Sequence, residues 1–175
     1  MIKTVIIVLV VVIAAILIYA ATKPDAFVIQ RSLGIKAPPE RIFALINDFK
    51  AWPQWSPYEK RDPAMQRTLG GSERGKGATY AWEGNKDVGQ GRMEITESTE
   101  PSRIAIKLDF IKPFEAHNTA EFTLVPSGDT TIVTWAMRGE WPYISKVMGV
   151  FVNMDRLIGT DFEAGLASLK TLAEK

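Results

Sequence analysis

The sequence predicts an α+β domain in which an antiparallel sheet, covered on one face, packs against a long C-terminal helix. Between residues 27 and 137, successive segments alternate apolar with polar side chains, which is typical of strands buried on one face only. After Pro142, apolar residues recur at steps of three and four, the pattern of an amphipathic helix. Because the strands run in series and the helix follows them, the order favours α+β over a doubly wound α/β fold.

The first 22 residues predict a transmembrane anchor outside this domain. From Val5 to Ala21 every side chain is apolar or Tyr19, a run of 17 residues. At ~1.5 Å per residue this run spans roughly 26 Å, close to the ~30 Å hydrocarbon core of a bilayer. A cleaved signal peptide is the alternative, but its apolar region is usually shorter, ~7–15 residues. We expect a single-pass anchor with an extracytoplasmic domain, a tether over residues 23–26 and the domain over 27–175.

The elements of the domain follow in order. Residues 27–35 alternate as a strand whose apolar side carries one charge, Arg31. Pro38 and Pro39 end this strand, and the apolar positions that follow them predict a short amphipathic helix. Turn residues separate the further predicted strands, over 65–69, 78–82, 89–98, 104–110, 114–124 and 133–137. The closing helix is expected over 144–173.

Composition and motifs argue against several functions. The 21 basic and 20 acidic residues are interspersed, so no basic stripe predicts a nucleic-acid partner. Cysteine is absent, which excludes disulfides and thiolate chemistry.

His117, the single histidine, shares a strand face with polar residues, so we expect a surface side chain and no metal site. The stretch Gly70–Gly77 nearly spells a phosphate-binding loop, but Gly77 replaces the required Ser or Thr, and a hairpin turn is expected. No cofactor is predicted.

Two polar side chains fall on the predicted inner face of the sheet. A buried amide without partners costs roughly 1–3 kcal/mol, so Asn118 should bond to backbone, to a buried water or to a ligand. Arg31 needs a partner for the same reason. That partner is either Glu97, which lies on the apolar side of its own strand, or an acidic group of a ligand, unless the strand end bends and exposes Arg31 to solvent.

Three glycines interrupt the predicted closing helix. Gly149, Gly159 and Gly165 each cost about 1 kcal/mol relative to alanine in a helix interior. Their presence indicates a close approach of backbones, a bend in the helix, or open space beneath it.

The segment from Ile35 to Trp55 carries a family signature. The signature residues are Ile35, Ala37, Pro38, Ile42, Phe43, Ile46, Asp48, Phe49, Trp52 and Trp55. Together with the order of the elements, residues 27–173 resemble the SRPBCC superfamily, in its polyketide cyclase/dehydrase-like branch of START-like proteins. The resemblance implies a helix-grip fold, in which a curved antiparallel sheet wraps around the C-terminal helix and leaves a hydrophobic tunnel. Members hold lipids, sterols, polyketides or hormones there, a minority catalyse cyclisation or dehydration, and others bind proteins.

The same resemblance places the aromatic stretch "NDFKAWPQWSPYEKRDPAM", residues 47–65, near a tunnel mouth. Its rings would either wall the tunnel or form a small core that plugs the open edge of the sheet. The candidate ligand-binding residues are Arg31, Trp52, Trp55, Tyr58, Tyr80, Trp82, Met93, Asn118, Trp135, Met137, Phe151, Ile158 and Phe162.

We therefore expect membrane-anchored binding of a hydrophobic small molecule, a lipid or an isoprenoid- or polyketide-like compound. One alternative is a lyase or cyclase that acts on a polyketide-like substrate, although no catalytic constellation of the family transfers residue by residue. Its acid or base would come from Arg31, Tyr80, Glu97, Asn118 or Asp161. The other alternative is a protein-interaction module with a solid core and no cavity above ~100 Å³. The sequence does not predict an oligomeric state.

Overall fold

The computed structural model describes residues 1–175. The helices are α1 (Ile2–Ala21), α2 (Pro39–Ile46), α3 (Pro57–Arg61), α4 (Tyr143–Met148) and α5 (Met154–Ala173), with a 3₁₀ helix over Phe49–Gln54. The strands are β1 (Ala26–Ile35), β2 (Gln66–Gly71), β3 (Ala78–Glu83), β4 (Gln90–Thr99), β5 (Arg103–Lys112), β6 (Ala116–Ser127) and β7 (Thr130–Glu140).

All seven strands form one antiparallel sheet in the order β1-β7-β6-β5-β4-β3-β2. Strands β2 to β7 are consecutive hairpin neighbours, whereas β1 pairs with β7, the strand most distant from it in the chain. The curved sheet wraps around α5, which packs mainly against β1. This architecture confirms the predicted α+β class and the helix-grip fold.

The glycine-rich stretch forms the hairpin turn between β2 and β3, as predicted. Gly71, Gly75 and Gly77 all have φ between 69° and 86°, a left-handed conformation that side chains with a Cβ rarely adopt. Strand β3 follows immediately at Ala78, so no helix begins here that could bind a phosphate.

The closing helix is not continuous, and the prediction of one helix over 144–173 is wrong in its first third. Gly149 lies at the C-terminal end of α4 and not inside a helix. Asn153 begins α5, because its side chain accepts a hydrogen bond from the backbone N–H of Arg156 at 2.9 Å. The residues between these two points form turns, and Phe151 among them is 71% exposed.

Helix α1 contacts the domain at its C-terminal end. The Tyr143 hydroxyl donates a hydrogen bond to the carbonyl of Leu17 at 2.8 Å, and Ala20 is fully buried. Ile16 is partly buried, and the other residues of α1 are exposed. By length and composition, with a mean hydropathy of 3.1, this helix suffices to cross a membrane, although a signal sequence would meet the same criterion.

Candidate functional site

A cavity of about 590 Å³ lies between the inner face of the sheet and α5. Of its 36 lining residues 23 are hydrophobic, which makes it a site for an apolar molecule. The volume is well above the ~100 Å³ limit expected for a solid core. Side chains therefore do not fill the interior.

Ten of the predicted site residues line this cavity, and three do not. Those that line it are Trp52, Tyr58, Tyr80, Trp82, Met93, Asn118, Trp135, Met137, Ile158 and Phe162. They come from the 3₁₀ helix, α3, four strands of the sheet and α5. Arg31, Trp55 and Phe151 lie elsewhere.

The aromatic stretch divides between the two roles that the sequence left open. Trp55 is fully buried in the core, with its indole N–H donating to the carbonyl of Leu45 at 3.1 Å. Trp52 packs on Trp55 with ring centroids 4.8 Å apart, and its own N–H bonds to the carbonyl of Ile46. Because Trp52 and Tyr58 also line the cavity, the segment is both a small core and part of the cavity wall.

Arg31 faces α5, as its strand parity predicted, but its predicted pairing with Glu97 is wrong. The guanidinium bonds to Glu163 at 2.8 Å and to Asp155 at 2.9 Å, and these carboxylates raise its pKa. Glu97 follows a register shift in β4 after Ile95, which turns its side chain away from the core. It pairs there with Arg103.

Phe151 is the third predicted residue outside the cavity. It was assigned to the inner stripe of a continuous helix, and the break between α4 and α5 removes it from that stripe. The side chain is among the most exposed apolar groups of the domain.

Stacked aromatic rings build the wall beneath α5. Trp135 of β7 and Phe162 of α5 stack with centroids 4.2 Å apart and planes 10° apart. The Trp135 ring fits over Gly165, where a Cβ would lie 2.7 Å from its Cζ3 atom. The Arg31 guanidinium occupies the corresponding space beside Gly159. The two helix glycines therefore accommodate neighbouring side chains.

Two polar groups in the wall lack strong partners. The amide nitrogen of Asn118 contacts the sulfur of Met137 at 3.8 Å, a weak acceptor, and has no hydrogen bond to backbone. The indole N–H of Trp135 is buried without a partner. Asn118 therefore retains capacity to bond a polar atom of a bound molecule.

A charged cluster lines the α3 end of the cavity, and the sequence predicted only two of its members, Tyr80 and Asp161, as candidate site residues. Glu59 is buried, accepts a hydrogen bond from the Tyr80 hydroxyl at 2.5 Å and pairs with Arg67 at 2.6 Å. Burial and then the Glu59 carboxylate raise the pKa of Tyr80, so its hydroxyl stays a proton donor. Asp161 pairs with Arg61 nearby, and burial raises the pKa of Asp161 despite that partner.

One signal in the sequence pointed to this cluster. Tyr80 falls on the inner face of β3, and a buried tyrosine hydroxyl needs a hydrogen-bond partner. The partner could not be identified, because α3 is a single turn of five residues whose buried side has no detectable periodicity.

The cavity opens to solvent at the end of the sheet nearest α1. Exposed lining residues identify this opening, namely Phe114, Glu115, Pro142, Asp155 and Leu157. The register pairs Ala26 with Glu140, so β1 begins where β7 ends, beside the C-terminus of α1. The strand predicted over 114–124 begins only at Ala116, so Phe114 lies outside β6 and is 66% exposed at the opening.

Comparison with protein families identifies the relatives of this domain. The family described as polyketide cyclase / dehydrase and lipid transport matches residues 26–174. The chain belongs to this family. The match to the polyketide cyclase / dehydrase and lipid transport family covers the domain and leaves out α1. This extent agrees with the resemblance seen in the sequence. No curated protein matches the chain.

Solved structures share the fold of this polyketide cyclase/dehydrase and lipid transport domain at low identity. A Chromobacterium violaceum protein is 16% identical with a TM-score of 0.61, over 87% of this chain and 99% of its own. The di-domain ARO/CYC protein BexL is 15% identical with a TM-score of 0.61, over 90% of this chain and 53% of its own. Major latex-like protein 151 of Panax ginseng is 14% identical with a TM-score of 0.59, over 87% of this chain and 100% of its own. These identities demonstrate a common fold only.

Proposed function

We propose that this chain is a membrane-anchored protein that binds a hydrophobic small molecule, of lipid, isoprenoid or polyketide type, in the cavity between the sheet and α5. The observation that carries the proposal is the cavity itself, about 590 Å³ within an otherwise closely packed domain. Pockets for small ligands span ~300–1,000 Å³ and are predominantly apolar with few polar groups. The family description, which includes lipid transport, supports the same class of ligand.

The polar groups of the wall restrict the ligand further. Asn118 on β6 and the pair formed by Glu59 of α3 and Tyr80 of β3 are separated by two apolar side chains of the wall, Leu108 of β5 and Met93 of β4. We infer a largely apolar ligand with a polar group that bonds to the Asn118 amide.

The apolar helix α1 is assigned the role of a single-pass anchor that carries the domain on the extracytoplasmic side. Its 20 residues span ~30 Å at ~1.5 Å per residue, the thickness of the hydrocarbon core. The helix is almost entirely exposed, so the domain does not require it as a core element.

Matched variants on one strand test the binding proposal. Ala120 is buried and lines the cavity, whereas Thr119 next to it is exposed on the outer face of β6. The full chain in phosphatidylcholine nanodiscs is titrated with cis-parinaric acid, and energy transfer from its tryptophans is recorded. Ala120→Phe should abolish most of the saturable transfer, because the ring occupies the cavity, and Thr119→Phe should leave it unchanged. Absence of saturable transfer in the unmodified chain, or equal transfer in Ala120→Phe, contradicts the proposal.

Acid–base catalysis on a polyketide-like substrate is a second candidate, favoured by one observation. Glu59 and Tyr80 place a carboxylate and a neutral hydroxyl 2.5 Å apart at the cavity wall, which are the groups that proton transfer requires. If the domain catalyses a reaction there, Glu59→Gln should abolish turnover of such a substrate while its affinity is retained. Equal loss of turnover and affinity would indicate a structural role for this pair.

A further inference from the structure

Exposed apolar side chains are concentrated in the segment from α4 to the first turn of α5, and one of them, Leu157, lies at the opening of the cavity. We define the apolar rim as Ile144, Met148, Phe151, Val152 and Leu157, which come from α4, the turns after it and the first turn of α5. Ile144 is 65% exposed and Leu157 is 52% exposed. Soluble proteins rarely expose such a contiguous group, and a patch of this kind marks an interaction site.

The apolar rim is continuous with the helix that reaches the membrane. Helix α4 packs against α1, and the Tyr143 hydroxyl bonds to the Leu17 carbonyl. Leu17 precedes the helix end at Ala21 by four residues, or ~6 Å along the axis. Interfacial apolar groups enter a bilayer to a depth of ~5–10 Å. If α1 spans the hydrocarbon core, Tyr143 therefore lies at the boundary between headgroups and acyl chains.

The charges near the apolar rim fit a neutral lipid surface. Residues 147–154 contain no charged side chain. Lys146 is buried in the α4 region and paired with Asp25, which removes this cation from contact with lipid headgroups. Lys112 of the cavity lining and Arg156 beside Leu157 are exposed cations, and the acidic groups Glu115 and Asp155 at the opening match them in number, so there is no cationic excess. Attraction to anionic lipids is therefore not the basis of the contact.

We propose that the apolar rim inserts into the surface of the same bilayer that α1 crosses, so that the opening of the cavity lies against lipid and the ligand passes between them without crossing water. This inference rests on the proposed anchoring by α1. The occupant is the zwitterionic lipid surface, and the contact is apolar, so it is insensitive to salt concentration. Leu157 belongs to both the apolar rim and the cavity lining, and the exposed Phe114 of the β5–β6 loop lines the same opening.

Single labelled cysteines test the insertion, because the chain contains no native cysteine. Three full-length variants, Val10→Cys, Phe151→Cys and Val125→Cys, are labelled with an environment-sensitive fluorophore and reconstituted into phosphatidylcholine vesicles. Val125 is the matched control, since it is apolar and exposed but lies across the sheet from Gly34. Gly34 is eight residues along β1 from Ala26, or ~26 Å from the α1 end of the sheet. Nitroxide lipids with shallow or deep spin labels act as quenchers.

The three labels separate this inference from the anchoring on which it rests. We expect the deep nitroxide to quench position 10, the shallow nitroxide to quench position 151 with a blue-shifted emission, and neither to quench position 125 beyond its level in water. Quenching at position 10 together with equal, weak quenching at positions 151 and 125 overturns the insertion and leaves the anchor intact. Absence of quenching at position 10 overturns both. A loss of quenching at position 151 in high salt overturns the apolar nature of the contact.

Discussion

Two glycines of α5 provide a matched test of the packing beneath the helix. Gly159→Ala and Gly165→Ala make the same chemical change, and each should gain about 1 kcal/mol of helix propensity. Their neighbours differ. At position 165 the new Cβ would lie 2.7 Å from Cζ3 of Trp135 and 3.0 Å from Cδ of Pro57, two rigid rings. At position 159 the obstacle is the guanidinium of Arg31, which is the mobile end of a long side chain.

The two substitutions should therefore change the free energy of unfolding in opposite directions. Overpacking of a well-packed site costs ~1–3 kcal/mol, so Gly165→Ala should lose ~1 kcal/mol net after the helix propensity is subtracted. Gly159→Ala should equal or exceed the unmodified chain, because the Arg31 partners are exposed carboxylates and such pairs contribute little. The resulting difference of ~2 kcal/mol corresponds to roughly 4–8 °C in Tm for a domain of this size.

Thermal unfolding of the full chain in detergent micelles, followed by near-ultraviolet circular dichroism, measures this difference. The signal includes the Trp135–Phe162 stack, so a shifted indole is detected even where Tm changes little. In a Trp135→Phe background the ring atom nearest Gly165 is absent, and the cost of Gly165→Ala should fall. If Gly165→Ala is as stable as Gly159→Ala and the stack is unchanged, the close contact does not constrain this helix.

Two further perturbations concern buried carboxylates. Asp109 is buried, and a hydrogen bond from His117 is the main cause that lowers its pKa below the ordinary 3.8. The ionised Asp109 carboxylate therefore stabilises the fold fully above about pH 4, and this stabilisation is lost as the pH falls below that value. In a plot of Tm against pH, Asp109→Asn should make the decrease on the acid side less steep. Glu59→Gln should reduce stability by ~1–3 kcal/mol, because Arg67 loses its charged partner. Tyr80→Phe should cost less, since it removes one hydrogen bond and leaves that ion pair, and urea unfolding compares the two variants.

Strand parity predicted most of the cavity wall because the sheet is buried on one face only. Where pairing is regular, alternate residues must face α5, and Tyr80, Met93, Trp135 and Met137 were placed on that basis. The periodicity of α5 likewise identified Phe162. These assignments depend on regular geometry, which a sequence pattern represents well.

The predictions failed where regular geometry ends. A register shift in β4 reversed the parity of Glu97, and no residue in the strand signals such a shift. Helical periodicity continued across Gly149 although α4 ends there, which misplaced Phe151. Glu59 lies on a helix of one turn, too short for any period to indicate its buried side.

The connection between α1 and the sheet limits how the molecule can operate. The backbone carbonyl of Asp25 accepts a hydrogen bond from the Trp141 N–H at 2.6 Å, and its carboxylate holds Lys146. Only Thr22 to Pro24 lie between the helix and this fixed point, so the four steps from Ala21 to Asp25 reach at most ~14 Å. If α1 is the anchor proposed above, a domain held so near the bilayer would exchange a bound molecule within one leaflet and would not carry it across an aqueous gap, so delivery to another membrane would need a separate soluble acceptor.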